Sequence, residues 1–100
     1  MFLTSSATAS AAEIFTLSTM GFPHVTRVEE PTRGILSDIL GKRLPNGWTV
    51  GLSNEVYTSS DGMVYEGVGI PPDIETPVFV PGNFYPGLKL AVDKAVNYLV

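Results

Sequence analysis

The stretch 4-TSSATASAAEIF-15 gathers Ser, Thr and Ala near the chain start and closes on two apolar residues. Three readings compete for it: a signal-peptide remnant, a helix cap, and the seat of a nucleophile. The first fails on composition. Ala7-Thr8-Ala9 has the small residues of a cleavage site, but no Lys or Arg precedes it and only Phe2 and Leu3 are apolar before it. A cleavable signal needs an apolar core of roughly 7–15 residues. The second reading takes 10-SAAE-13 as a capping box, in which Ser at N-cap and Glu three residues on satisfy two orphan amides reciprocally. That is the default for S-x-x-E at a helix start. The third reading notes that Ala7, Ala9, Ala11 and Ala12 let a substrate carbonyl approach Ser10 closely. A Ser at a helix mouth also sits among unpaired N–H groups and the positive end of the dipole. Such amides stabilise the oxyanion of acyl transfer.

The rest of the chain bounds the choice. One hundred residues make one small domain. With 44% hydrophobic and 16% charged residues the chain is not disordered. A net charge of −4 and six scattered basic residues argue against nucleic acid. The absence of Cys excludes disulfides, thiolate metal sites and a Cys nucleophile. A single His24 excludes a multi-His metal site. No cofactor is expected. No apolar run approaches the ~20 residues of a membrane helix.

Ala11 to Met20 reads as a helix apolar on most sides, hence an interior one, ended by Gly21 and Pro23. Val25 to Val28 is a short strand candidate. Leu36 to Leu44, the turn 45-PNG-47 and 48-WTVGLSNEVYT-58 read as a hairpin. Trp48, Val50, Leu52 and Val56 keep strand periodicity there. A second turn, 59-SSDG-62, returns the chain into 63-MVYEG-67 as an antiparallel neighbour. Pro71, Pro72 and Pro77 keep 68–77 extended. Leu88, Ala91, Val92, Ala95, Val96 and Leu99 then form one stripe of a C-terminal amphipathic helix, with Lys89, Asp93 and Asn97 opposite and Pro86 near its first turn. The order predicts an α/β or α+β layer with one mostly buried helix.

Two further features stand out. Glu66 ends a strand-like run where carboxylates are poor residues, although an exposed edge Glu is the ordinary explanation. The cluster 29-EEPTRG-34 looks like a specified corner, with Pro31 fixing φ and Gly34 allowing close packing. His24 tempts as a base for Ser10, but a helix from Ala11 to Met20 carries it to the opposite end at ~1.5 Å per residue.

Together T-A-S-A-A-E-I-F (8–15), E-P-T-x-G (30–34), L-P-N-G-W (44–48) and Y-E-G-x-G-I-P-P-D (65–73) resemble the C-terminal half of the catalytic domain of C-terminal-processing (tail-specific) and tricorn-type serine peptidases. The resemblance covers residues 3–77. It implies an α/β fold of the Clp protease/crotonase kind, with a buried helix after the nucleophile. It also implies Ser10 as nucleophile and the Ala11 N–H as an oxyanion-hole donor. One branch carries a Lys immediately after the Gly of E-P-T-x-G; here that position is Ile35, and Lys42 does not match. The tricorn-like branch uses a His base oriented by a carboxylate, which Glu66 matches. That His, the PDZ-type segment and the second oxyanion donor lie upstream of the nucleophile in the resembling family. The chain is therefore expected to be the C-terminal part of a catalytic domain, inactive alone for want of its base. Its expected partners are a peptide or unfolded protein end as substrate, the upstream part of the same domain, and other copies of itself. Such relatives are often extracytoplasmic. The competing expectation is a non-catalytic module in which Ser10 only caps the helix and Glu66 is unpaired.

Overall fold

Pairing runs outward from one short central strand. In a computed structural model, which describes residues 1–76, 82 and 84–99, β1 (Phe2–Thr4), β2 (Arg27–Glu29) and β5 (Ile74–Glu75) form a parallel sheet in the order β1-β2-β5. Thr4 faces Glu29, and Glu29 faces Glu75. The crossover from β1 to β2 contains α1 (Ala11–Thr19), as a parallel pair requires. β3 (Ile39–Arg43) and β4 (Thr49–Ser53) form a separate antiparallel hairpin, with Leu40 opposite Leu52. α2 (Phe84–Leu99) follows and packs beside β2. The architecture is a mixed α/β one with parallel and antiparallel sheets and a C-terminal helix.

The strand expected at Val25–Val28 is shifted to Arg27–Glu29, where Asp73 fixes its entry: Arg27 N–H donates to Asp73 Oδ2 at 2.7 Å and the guanidinium pairs with Oδ1 at 2.5 Å. The hairpin forms around its P-N-G turn, the Gly47 N–H donating to the Leu44 carbonyl at 2.9 Å. The second return is thinner than expected. Past the 59-SSDG-62 turn, only Thr58 and Val64 form an antiparallel bridge. The proline-rich run is extended and ends in β5; Pro77 lies outside the described residues.

The expected burial of α1 is corrected. Its buried residues are Glu13, Thr16 and Thr19, while Phe15 is 62% exposed. Hydroxyl bonding makes this tolerable: Thr16 donates to the Ala12 carbonyl and Thr19 to the Thr16 carbonyl, both at 2.7 Å. Among the described residues Phe15 has Phe2 as its aromatic neighbour, 5.9 Å between ring centres. The stripe of α2 is likewise only partly packed. Ala91 is fully buried, whereas Leu88, Val92, Val96 and Leu99 are exposed. Among the described residues the buried apolar core is Val28, Leu36, Ile70 and Ala91.

Candidate functional site

Ser10 sits between the loop that leaves β1 and the first turn of α1, with φ 55° and ψ −125°. A side chain rarely tolerates positive φ, at a cost of order 1–3 kcal/mol, and such strain persists only where surrounding bonds over-determine it. Here they do. The Ser10 N–H is shared between the Ile35 carbonyl at 2.8 Å and Glu13 Oε2 at 3.2 Å. The Ser10 carbonyl accepts from Glu13 and Ile14 N–H at 2.8 and 3.1 Å. Both backbone ends of the residue are held, and its side chain is exposed.

The capping box is present in outline, with one half unequal to the other. Glu13 takes the Ser10 amide, but the Ser10 hydroxyl, although beside the Glu13 N–H, makes no cap hydrogen bond. That amide is satisfied by the Ser10 carbonyl instead. Ala11, the first helical residue, is exposed, and its N–H has no intrahelical acceptor within reach. A hydroxyl and an orphan amide therefore stand side by side at a dipole's positive end.

Glu13 itself is fully buried. Its Oε1 accepts from Thr32 Oγ1 and Gly34 N–H, both at 2.6 Å, and its Oε2 from Ile35 N–H at 2.8 Å. Thr32 Oγ1 in turn accepts from Ile70 N–H at 2.7 Å. One carboxylate ties the serine turn to the E-P-T-x-G corner, and that corner to the segment after Glu66. The glycines of the two motifs explain how they meet. A Cβ on Gly69 would lie 2.1 Å from the Thr32 carbonyl oxygen, and one on Gly34 2.8 Å from the amides of Val68 and Gly69. Only bare backbone fits at that crossing.

Glu66 is exposed but not unpaired. Its Oε2 accepts from Leu36 and Ser37 N–H, each at 2.9 Å. Ile35 takes the Ser10 amide and the next two residues take Glu66, so Ser10 and Glu66 attach to consecutive links of one segment. Ile35 uses its backbone for this and leaves its side chain half-exposed. Lys42 lies out in β3, on the exposed hairpin. His24 is exposed beyond the far end of α1, beside Phe22 at 6.1 Å, about 13 Å along the axis from Ser10's end.

The model of peptidase family S41 matches residues 1–76. The chain belongs to that family. It is a family of the serine-protease class. No curated protein matches the S41 chain. Among solved structures, a protein from Parabacteroides merdae provisionally assigned as a peptidase is similar at 26% identity and TM-score 0.80, over 98% of this chain and 30% of that one. A lipoprotein from Streptococcus agalactiae is similar at 26% identity and TM-score 0.70, over 97% and 30%. Mature CPAF, solved with lactacystin, shares the fold at 22% identity and TM-score 0.76, over 93% and 18%. This chain thus spans less than a third of the structures it matches.

The site also shows what residue spacing alone missed. Glu13 was legible as a cap partner, and its S-x-x-E spacing gave no sign of bonds to residues 32, 34 and 35. Glu29 stood at the start of the 29-EEPTRG-34 corner, with nothing in the spacing to mark its carboxylate as buried. It is 2% exposed with φ 106°, and its Oε1 is buried without a partner. Burial first, and then the charge of Glu30, push its carboxyl up to about 7. Two cavities, of about 520 and 320 Å³, lie between β5 and α2 and between α1 and residues 57–60; neither includes Ser10 or Glu66.

Proposed function

We propose that this chain carries the nucleophile of a serine endopeptidase of the tail-specific and tricorn-like kind, built on a Clp protease/crotonase-type domain. The observation that carries the reading is the Ser10 turn: a serine held at positive φ, its side chain exposed, at the N-terminus of α1 beside the first-turn Ala11 amide. In this reading Ser10 Oγ attacks the scissile carbonyl and the Ala11 N–H receives the developing oxyanion. Glu66 orients a histidine base supplied from outside these hundred residues, as the carboxylate does in a Ser-His-Asp arrangement. Its Oε2 is held by two backbone amides, and Oε1 accepts no hydrogen bond among the described residues, which leaves that oxygen for an imidazole N–H. The substrates are peptides or unfolded protein ends, and the upstream part of the domain is the partner that completes the site.

A fluorophosphonate probe tests this on the protein encoded by the intact reading frame. Labelling of Ser10, lost in Ser10→Ala, is the expected result. A folded protein that takes no label would overturn it. Ile35 favours one competing reading, a non-catalytic relative, because an isoleucine occupies the place of a base. That reading predicts no labelling and no peptide hydrolysis.

A further inference from the structure

Three separate parts of the molecule are fastened to the short segment 35–37. The Ile35 carbonyl accepts the Ser10 N–H at 2.8 Å. The Leu36 and Ser37 amides converge on Glu66 Oε2, each at 2.9 Å. The third attachment is the Ser37 side chain, which is buried. Its hydroxyl donates to the Asp38 carbonyl at 2.9 Å and accepts from the Asn54 and Glu55 amides at 3.2 and 3.1 Å. One donor and two acceptor sites are all that a hydroxyl has, and all three are used.

That hydroxyl sits where the chain changes surroundings. Leu36, just before it, belongs to the core, whereas every residue of β3 and β4 is exposed. Packing therefore anchors the segment on the Leu36 side only. On the other side the chain leaves for solvent, and the Ser37 hydroxyl ties it to a fixed point just past the end of β4. The consequence reaches Glu66. That residue is exposed, so packing does not orient its side chain. Its backbone is pinned next door, where the Gly67 N–H donates to the Gly34 carbonyl at 2.8 Å. The direction of its carboxylate is then set by the two successive amides on Oε2, and those amides point as the turn at Ser37 points them.

We propose that Ser37 is a positioning residue of the peptidase site, whose hydroxyl fixes the turn that aims Glu66. It touches no substrate and moves no proton. It acts through the carboxylate: with the hydroxyl in place, Oε2 is held and Oε1 stands ready for the imidazole N–H of the base. Without it, the amides of Leu36 and Ser37 remain but their directions loosen, and the base is oriented for a smaller fraction of the time. A misplacement of this kind costs rate rather than binding. The inference rests on the peptidase reading above and assigns it a residue beyond Ser10, Ala11 and Glu66.

The test follows fluorophosphonate labelling of Ser10 over time and probe concentration, on the protein encoded by the intact reading frame. Ser37→Ala removes the hydroxyl and keeps every backbone amide; Asn54 and Glu55 are exposed, so water can satisfy theirs. Its labelling rate at saturating probe is expected to fall about tenfold, a part of the roughly 10²–10⁴-fold that a positioned base supplies. The half-saturating probe concentration is expected to stay within about twofold. Ser37→Thr, which keeps the hydroxyl, should restore the rate. In a Glu66→Ala background Ser37→Ala should cost nothing further, because the two residues act as one unit. Should circular dichroism show Ser37→Ala unfolded, Ser37→Cys, which fills the same space with a weaker acceptor, takes its place. An unaltered rate, a loss carried by probe affinity, a loss that Ser37→Thr does not recover, or one that persists without Glu66 would each overturn this inference and leave Ser10 as nucleophile. A wild-type protein that takes no label overturns the peptidase reading and this inference together.

Discussion

The buried carboxylate of Glu13 is acceptor to four donors: the amides of Ser10, Gly34 and Ile35 and the hydroxyl of Thr32. Both of its oxygens must therefore be acceptors. An amide side chain of the same shape cannot meet that demand, since one end would bring N–H against N–H. Hydrogen bonds to charged groups are worth about 1.5–3 kcal/mol each, and stranding a buried donor adds a desolvation cost. Glu13→Gln should therefore lower stability by about 3 kcal/mol, read as the shift of the urea midpoint at unchanged slope. A loss below about 0.5 kcal/mol would show that the corner holds without it. At this scale the sequence was half legible. Ser10 and Glu13 stand at capping-box spacing, so their local bond could be anticipated from four letters. The carboxylate's other three donors arrive from Thr32, Gly34 and Ile35, brought back by a strand crossing that no local pattern encodes. The positive φ of Ser10 was hidden for the same reason, because it is imposed by bonds from both sides.

Strand β2 carries its own conflict between sequence and place. Glu29 occupies the middle of a parallel sheet, between Thr4 of β1 and Glu75 of β5, with positive φ and a buried oxygen that has no partner. Its carboxyl is pushed from the ordinary carboxylate range near 4.5 up to about 7, by burial first and by Glu30 second. The fold thus favours the protonated form, and the contribution to stability is complete below the unfolded value near 4.5. It declines as pH rises through about 7 and is absent above. The full swing is at most on the order of 3 kcal/mol. Urea midpoints measured between pH 4.5 and 7.5 should fall with rising pH, and Glu29→Gln should flatten that slope. A wild-type midpoint that rises across this window would refute the assignment. The elements themselves were mostly readable: α1, the hairpin and α2 follow from caps, turn residues and periodicity. What failed was burial. Ile14, Phe15 and Leu17 made α1 look like an interior helix, yet its buried side is that of Glu13, Thr16 and Thr19. Hydroxyls that bond within their own helix, and a carboxylate that finds amides, can be buried where hydropathy places them outside.

Taken whole, the hundred-residue chain is long and thin. Its principal extents are 59 × 36 × 15 Å, and its radius of gyration is 16.5 Å, against about 13 Å for a compact domain of this length. Every residue of β3 and β4 is exposed, and the register places Leu40, Lys42, Val50 and Leu52 on one side. Leu44 and Trp48 continue it, joined by a backbone bond of 2.7 Å. The hairpin is fastened at its base by Ser37 Oγ, which accepts from Asn54 and Glu55 N–H at 3.2 and 3.1 Å. A lone two-stranded hairpin is marginal in water, and one apolar side with a single lysine on it is a surface that invites cover. Taken by itself, the chain should therefore associate with further copies through this side, since burying Leu40, Trp48, Val50 and Leu52 recovers about 25 cal/mol for each Å² of apolar area removed from water. Sedimentation velocity should show mass rising with protein concentration. Trp48→Lys together with Leu52→Lys should move the population toward monomer, because apposed copies would then bring three lysines per side into contact with three more. A single monomeric boundary for the unaltered chain at high concentration would contradict the expectation. A concentration-dependent mass that ignores both lysines would assign the association to another surface, with α2 the next apolar face exposed through Val92, Val96 and Leu99.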